Sequence, residues 1–152
     1  MQNIDAEGLT TLVKELTEYL QIPCDVAVST PESGPICVSV RSDEHGRLLI
    51  GKGGQNLKAL EHIIRMMWMR KYPEQRAITV DVNDYHAERA QELVAHVRNT
   101  AERVRVTGKS EALNPMSPYE RRIVHTELAS YSDLTTESVG QEPHRRVVIK
   151  PL

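Results

Sequence analysis

One glycine-rich segment constrains this chain more than any other part of it. Residues 48–60 read LLIGKGGQNLKAL, so three glycines and Lys52 stand between a short apolar run and an amphipathic helix pattern. A glycine loop that opens a helix lets the backbone come close to an anion, because no side chain intervenes and the helix N-terminus favours negative charge. The segment therefore indicates an anion-binding loop.

The spacing of the glycines excludes the two common nucleotide-binding loops. A Walker A loop needs GxxxxGK followed by Ser or Thr, and GKGGQN has neither that spacing nor the hydroxyl group for magnesium. A dinucleotide fingerprint needs GxGxxG directly after a strand, whereas Gly51, Gly53 and Gly54 follow a short helical run. What remains is a GxxG loop between two helices.

Hydrophobic periodicity surrounds this loop with helices and strands. A helical spacing of leucines ends before Pro23, and two alternating runs at 24–28 and 36–40 flank the turn residues TPESGP. After the loop, a second helical spacing extends to about Lys71, and a third alternating run covers 78–82. The predicted order is helix, strand, strand, short helix, glycine loop, helix, strand.

The second half of the chain predicts a long helix followed by a small separate domain. A long helical spacing begins at Tyr85, and the segment TGKSEALNP then forms a turn-rich break. Ser117, Pro118 and Glu120 stand at the N-cap, N1 and N3 positions of another helix, which is a strong helix start. Two strand-like runs, LTTESV and RRVVIKP, follow this helix.

The distribution of charge favours a nucleic acid as the anion. The net charge is −2, but between Arg47 and Arg76 there are seven bases and two acids, a local balance of 7 − 2 = +5. Neutralisation of phosphate drives most nucleic-acid binding, so this basic segment supports such a partner. No apolar run is long enough to span a bilayer and the first residues lack the pattern of a signal peptide, so we expect a cytoplasmic protein with no integral membrane segment.

No residue pattern predicts catalysis, a cofactor or a metal. Cys24 and Cys37 lie on separate strand-like runs without CxxC or CxxH spacing, so we expect reduced thiols and no metal site. The acids and histidine within 81–88 do not predict an acid/base or metal cluster, because His86 and Glu88, two residues apart, do not share a helix face. We expect a non-enzymatic protein.

The GKGG loop and the order of elements resemble a KH domain of the bacterial type II variant over residues 4–84. In KH domains the GxxG loop holds the backbone of about four single-stranded nucleotides while an apolar groove holds their bases. The resemblance implies an α+β fold with a three-stranded sheet packed by helices. The alternative is a glycine C-cap and a tight turn without a ligand. On the resemblance, the RNA-binding residues are Ile50, Gly51, Lys52, Gly53, Gly54, Gln55 and Lys58.

The segment ERRIVHTEL carries a second resemblance. Arg121 and His125 are four positions apart in the capped helix, so they share one face. With NPMSPYE before it and TTESVGQEPHRRVVIKP after it, the segment is similar to the R-3-H domain (named for Arg-x-x-x-His) over 108–152, a family that binds single-stranded nucleic acid. The resemblance implies that Arg121 faces phosphate and that His125 donates to phosphate or stacks on a base. The alternative is a surface arginine beside a histidine that stabilises its own domain.

A type II KH domain, a connecting helix over 85–107 and an R-3-H domain together resemble the bacterial Jag family, also called KhpB. Members commonly carry an N-terminal Jag domain, for which this sequence shows no counterpart, so we do not carry over the family links to a YidC-type insertase and a small KH partner. The resemblance implies a binder of single-stranded RNA, or of single-stranded DNA, that acts as a post-transcriptional regulator or RNA chaperone. The alternative is an adaptor that dimerises through its KH domain with another KH protein or a second copy.

Overall fold

A computed structural model describes residues 5–73 and 76–152. They form two compact units, one that ends at Tyr85 and one that begins at His86. Each unit has its own buried core and its own three-stranded sheet, which confirms the predicted α+β class. Ile4, the predicted first residue of the KH-like region, and Glu74, one of the two acids in the basic segment, lie outside the described residues.

The first unit has the predicted order of elements. Strand β1 pairs antiparallel with β2, and β2 pairs parallel with β3, so β2 is the central strand. The parallel pair is possible because two helices carry the chain from the end of β2 back to the start of β3. The elements are α1 (Ala6–Tyr19), β1 (Asp25–Ser29), β2 (Ile36–Arg41), α2 (Gly46–Ile50), α3 (Gln55–Lys71) and β3 (Ile78–Val82).

The core of this unit lies between α1, α3 and one face of the sheet. Every second residue of β2 and β3 is buried, as the two-residue period of a strand requires, and α3 buries one stripe at helical spacing. Packing of this stripe fixes the orientation of α3, the helix that begins directly after the glycine loop. The buried apolar residues of these elements are Leu9 and Val13 of α1, Ile36, Val38 and Val40 of β2, Ile78, Val80 and Val82 of β3, and Leu57, Leu60, Ile64 and Trp68 of α3.

The second unit contains the predicted helix and two strands, together with a strand that the sequence did not reveal. The central strand β6 pairs antiparallel with β5 on one side and with β4 on the other. The sequence predicted a turn-rich break where the structure has β4. A strand of two residues is too short to show an alternating pattern, and it is defined only by its pairing with β6, which is distant in sequence. The elements are α4 (Tyr85–Thr107), β4 (Glu111–Ala112), α5 (Pro118–Leu128), β5 (Leu134–Val139) and β6 (Arg146–Pro151).

Helix α4 contributes its apolar stripe to the core of the second unit. Its buried residues Leu93, Val97, Ala101 and Val104 pack in one cluster with apolar residues of α5 and β6. The sequence predicted a connecting helix between separate domains, and the structure adds that the apolar face of this helix is buried in the second core. The domain limits 4–84, 85–107 and 108–152 stay a prediction.

Substitution of Ile64 by alanine should destabilise the first unit much more than substitution of its neighbour. Ile64 is fully buried, so Ile64→Ala should lower the free energy of unfolding by about 2–5 kcal/mol. Ile63 is 45% exposed, so Ile63→Ala should cost about 1 kcal/mol or less. The only tryptophan, Trp68, is buried in this unit, so its fluorescence in a urea titration measures both variants. Equal losses would contradict the orientation of α3.

Candidate nucleic-acid interface

The GKGG loop connects α2 to α3 through three glycines with positive φ. The values are 69° at Gly51, 60° at Gly53 and 78° at Gly54. Gly51 also has a ψ of 179°, and this combination is essentially restricted to glycine. A chain with side chains at these positions could not make the same tight connection without strain.

Neighbouring side chains occupy the space beside two of these glycines. A Cβ atom added at Gly51 would lie 2.5 Å from Cγ of Asn56, whose Nδ2 donates to the Leu48 carbonyl at 2.7 Å. A Cβ atom at Gly54 would lie 3.0 Å from the Tyr85 ring, whereas one at Gly53 would meet nothing within 4 Å. Gly51 and Gly54 therefore serve the packing of the loop, and Gly53 faces open space.

The start of α3 has no side-chain cap, and the N–H of its first residue, Gln55, donates to the Lys52 carbonyl. The N-cap residue is Gly54, which has no side chain to accept from the first turn, and its own N–H donates to the Gly51 carbonyl at 3.3 Å. The first N–H groups of a helix have no acceptor inside the helix, and the helix dipole makes this end favourable for negative charge. Lys52 and Lys58 are exposed beside it, so cations and N–H donors lie together.

The seven residues predicted for this site lie in one continuous segment, from the end of α2 through the glycine loop to the start of α3. Lys52, Gly53, Gln55 and Lys58 are exposed, Ile50 and Gly51 are half-buried, and Gly54 is buried. Their contact with RNA stays a prediction.

Arg121, predicted as a phosphate contact, is almost fully buried at 7% exposure. Its Nη1 donates to the Met116 carbonyl at 2.7 Å, and its Nη2 pairs with Glu142 Oε1 at 2.6 Å. Glu142 lies in the loop between β5 and β6 and its side chain is 54% exposed. Arg121 therefore ties the start of α5 to that loop.

His125 lies one helical turn further along α5 and is half-buried. Its Nδ1 lies 2.7 Å from Thr136 Oγ1 and its Nε2 lies 2.8 Å from Ser138 Oγ, both on β5. Each ring nitrogen thus has a hydroxyl partner inside the unit. Arg121 and His125 share a face as predicted, and that face contacts β5 and the loop after it. Their role as nucleic-acid contacts stays a prediction.

The start of α5 is the predicted capping box. Ser117 Oγ accepts from the Glu120 N–H at 3.3 Å, and Glu120 Oε2 accepts from the Ser117 N–H at 2.8 Å. Burial acts to raise the pKa of Glu120, but hydrogen bonds from Ser117 and Arg89 outweigh it and hold the pKa below its ordinary value. The carboxylate form is therefore the one that stabilises this helix start.

Ion pairs neutralise the arginines of α4. For three of them the partners lie in α5 and the segment after it, and these partners follow the same order along the chain, so α4 and α5 run in the same direction. Arg103 pairs with Glu111 of β4 instead. The hydrogen bond from Arg105 is the main reason that the pKa of Asp133 lies below its ordinary value. The pairs are Arg89 Nε to Glu120 Oε1 at 3.1 Å, Arg98 Nε to Glu127 Oε1 at 2.6 Å and Arg105 Nε to Asp133 Oδ2 at 2.6 Å.

Within residues 5–73 and 76–152, no group of three or more His, Cys, Asp or Glu side chains could hold a metal ion. No helix in the same ranges is long and apolar enough to cross a membrane. Cys24 and Cys37 are free, half-buried thiols, and the Cys24 Sγ lies 3.1 Å from Thr17 Oγ1.

Comparison with known proteins identifies similarities over most of the chain. Residues 91–151 match the family model of the R-3-H domain. The chain is 30% identical over 138 residues to the RNA-binding protein KhpB of Clostridium symbiosum, an alignment that covers 90% of this chain and 62% of the relative. It is 38% identical over 109 residues to KhpB of Bacillus subtilis, an alignment that covers 70% of this chain and 52% of the relative. It is 31% identical over 150 residues to KhpB of Streptococcus pneumoniae D39, where the alignment covers 97% of this chain and 45% of the relative. The chain thus spans about half the length of these relatives.

Alanine should be tolerated less well at Gly51 than at Gly53. Gly51→Ala introduces both an unfavourable φ and a clash with Asn56, so we expect a loss of about 2–3 kcal/mol in the free energy of unfolding. Gly53→Ala carries the φ penalty alone, of about 1–2 kcal/mol, because the space is open. Urea titrations followed by Trp68 fluorescence compare the two, and a larger loss at Gly53 would contradict the loop geometry.

Two adjacent arginines of α5 should differ in their effect on stability. Arg121→Ala leaves the Met116 carbonyl and Glu142 without their donor, so the free energy of unfolding should fall by roughly 1–3 kcal/mol. Arg122 is exposed and has no ion-pair partner within residues 86–152, so Arg122→Ala should change it by no more than about 0.5 kcal/mol. Thermal unfolding followed by circular dichroism measures both. An unchanged Arg121→Ala variant would show that the buried contacts contribute no stability.

Proposed function

The chain belongs to the KhpB family, also called Jag, over the region that these relatives share with it, and from this premise we propose that it binds single-stranded RNA without catalysing a reaction. The observation that carries the proposal is the GKGG loop at the start of α3, where backbone donors, Lys52 and Lys58 lie together. The relatives are named RNA-binding proteins, and the loop provides the chemistry that such a name requires.

The loop suits the phosphate of a nucleic-acid backbone. Gly53 leaves open space, so a phosphate can approach the N–H groups at the start of α3. Lys52 and Lys58 add positive charge to the same place. Contacts of this kind position a strand and carry little sequence information, because every nucleotide has the same phosphate.

Single strands should bind better than duplex. A strand that a GxxG loop holds must present unstacked bases to the protein surface beside the loop, and a duplex keeps its bases stacked and paired. The loop atoms named above contact phosphate and not the 2′-hydroxyl group, so single-stranded DNA is a second ligand of the same site. We place this binding in the cytoplasm, as part of post-transcriptional regulation or RNA chaperoning.

The second unit, which contains the match to the R-3-H domain, supplies a second site in this proposal. For Arg121 to contact phosphate directly, the phosphate has to compete with Glu142, and for His125 it has to compete with the hydroxyl groups of Thr136 and Ser138. Two modest sites on one chain bind a long strand better than either alone, because the first contact raises the effective concentration for the second. The adaptor function, dimerisation with another KH protein or a second copy, is the less favoured alternative, since the relatives are named for RNA binding.

Carboxylates placed in the loop should abolish most RNA binding. The double substitution Lys52→Asp and Gly53→Asp puts two negative charges where phosphate would lie, at exposed positions that add nothing to the core. We expect at least a tenfold loss of affinity, about 1.4 kcal/mol or more. Fluorescence anisotropy with a labelled single-stranded RNA of random sequence measures it, and Trp68 fluorescence checks the fold.

The matched control is Lys14→Asp with Gly34→Asp. Lys14 is an exposed lysine of α1, and Gly34 is a positive-φ glycine with nothing within 4 Å of an added Cβ. Gly34 lies in the turn between β1 and β2, at the opposite end of β2 from α2 and the glycine loop. This control should bind RNA like the parent chain. Equal affinity of both double variants and the parent would remove the GKGG loop from the binding site.

A further inference from the structure

Helix α5 presents an exposed aromatic ring near its start. Tyr119 is 64% exposed and is the one exposed tyrosine within residues 86–152, where the other, Tyr131, is half-buried beneath the guanidinium of Arg105. It lies inside the capping box, between Ser117 and Glu120, and the two hydrogen bonds that join those residues hold the helix turn that carries it. A ring of this size at a rigid and exposed position leaves its flat face available to a ligand.

A cation that the unit does not neutralise lies on the same face. Arg122 is three positions after Tyr119, so the two side chains are neighbours on the helix surface. Arg122 is the one arginine of α4 and α5 without an ion-pair partner within residues 86–152, and it is exposed. The arginines of these two helices that do pair with carboxylates are Arg89, Arg98, Arg103, Arg105 and Arg121.

We propose that Tyr119 stacks on a base of single-stranded RNA and that Arg122 contacts the adjacent phosphate. This inference rests on the proposed function and assigns residues that the Arg-x-x-x-His pattern does not include. A nucleotide offers a flat π face and an anion at short separation, which matches an aromatic ring and a cation whose Cβ atoms lie about 5–6 Å apart on a helix. A protein partner is disfavoured, since a single exposed ring is a much smaller apolar surface than a protein interface core.

The buried neighbour of Arg122 serves as a positioning residue in this scheme. Arg121 holds the Met116 carbonyl, directly before the N-cap residue, and Glu142 in the loop after β5. These contacts fix the first turn of α5, which carries Tyr119. Two consecutive arginines thus have different roles, because one points into the unit and the other points to solvent.

The test compares substitutions on α5 with matched substitutions on α1 in the full chain. Tyr119→Ala should weaken binding of a labelled single-stranded RNA by about fivefold or more, since stacking on one base contributes about 1–3 kcal/mol. Tyr119→Phe keeps the ring and should bind like the parent chain. The control Tyr19→Ala removes a tyrosine that is 92% exposed on α1 and should leave affinity unchanged.

Arg122→Ala should weaken binding and reduce the log–log salt slope by about 0.7, the value for one phosphate contact on a single strand. The control Lys14→Ala removes an exposed cation of α1 and should change neither affinity nor slope. An Arg122→Ala variant with an unchanged slope would remove the phosphate contact from the proposal.

A spectroscopic measurement separates stacking from a change in stability. The variant Tyr119→Trp should show quenching of its fluorescence when single-stranded RNA is added, whereas Tyr19→Trp should not, with buried Trp68 as a common background. If Tyr119→Ala also lowers the melting temperature, the affinity of Tyr119→Phe and the quenching of Tyr119→Trp distinguish a loss of stacking from a loss of folded protein. Unchanged affinity in Tyr119→Ala, equal loss in Tyr119→Phe, or absence of quenching overturns the stacking role and leaves the loop proposal intact. Failure of the parent chain to bind RNA overturns both.

Discussion

The burial of one stripe of α3 against β2 and β3 is the constraint on which the first unit depends. The stripe runs from Leu57 to Trp68, and its residues are at most 6% exposed. Because these side chains can pack in only one rotation of the helix, the first turn of α3 is fixed in space, and with it the loop that precedes it. The glycines make the connection possible, but the apolar stripe decides where the N-terminal donors point. The proposed anion site is thus held in place by buried residues that are not part of it.

The second unit is organised by a different principle, the pairing of charges over a small core. Its arginines are numerous, yet most of them face carboxylates of the same unit, so the number of bases says little about the surface that a polyanion meets. The exposed pairs among them contribute little stability each, and the pairs of Arg89, Arg98 and Arg105 together orient α4 and α5. The capping box adds to this arrangement, since Glu120 serves both as a cap for Ser117 and as the partner of Arg89.

Much of this architecture could be predicted from the sequence, and the exceptions have physical causes. Helix stripes, alternating strands and the Ser117 cap are local patterns, and the structure contains them where they were predicted. The strand β4 is too short to have a pattern, so only its pairing with β6 defines it. The spacing of Arg121 and His125 shows that they share a face, but not that this face is turned inward. The ion pairs from α4 to Glu120, Glu127 and Asp133 depend on contacts distant in sequence, for which no local rule exists.

The contact between Arg121 and Glu142 bears on selectivity among polyanions. An internal carboxylate already occupies the place that a phosphate oxygen would take at this guanidinium, as other carboxylates do at the arginines of α4. Any polyanion that uses these groups has to displace an acid that is held nearby at high local concentration, and it gains only the difference between the two interactions. These internal ion pairs therefore reduce the affinity of this unit for polyanions that offer only negative charge. If the chain binds RNA as proposed, strands that also offer bases for stacking should bind better than polyanions that offer phosphate alone.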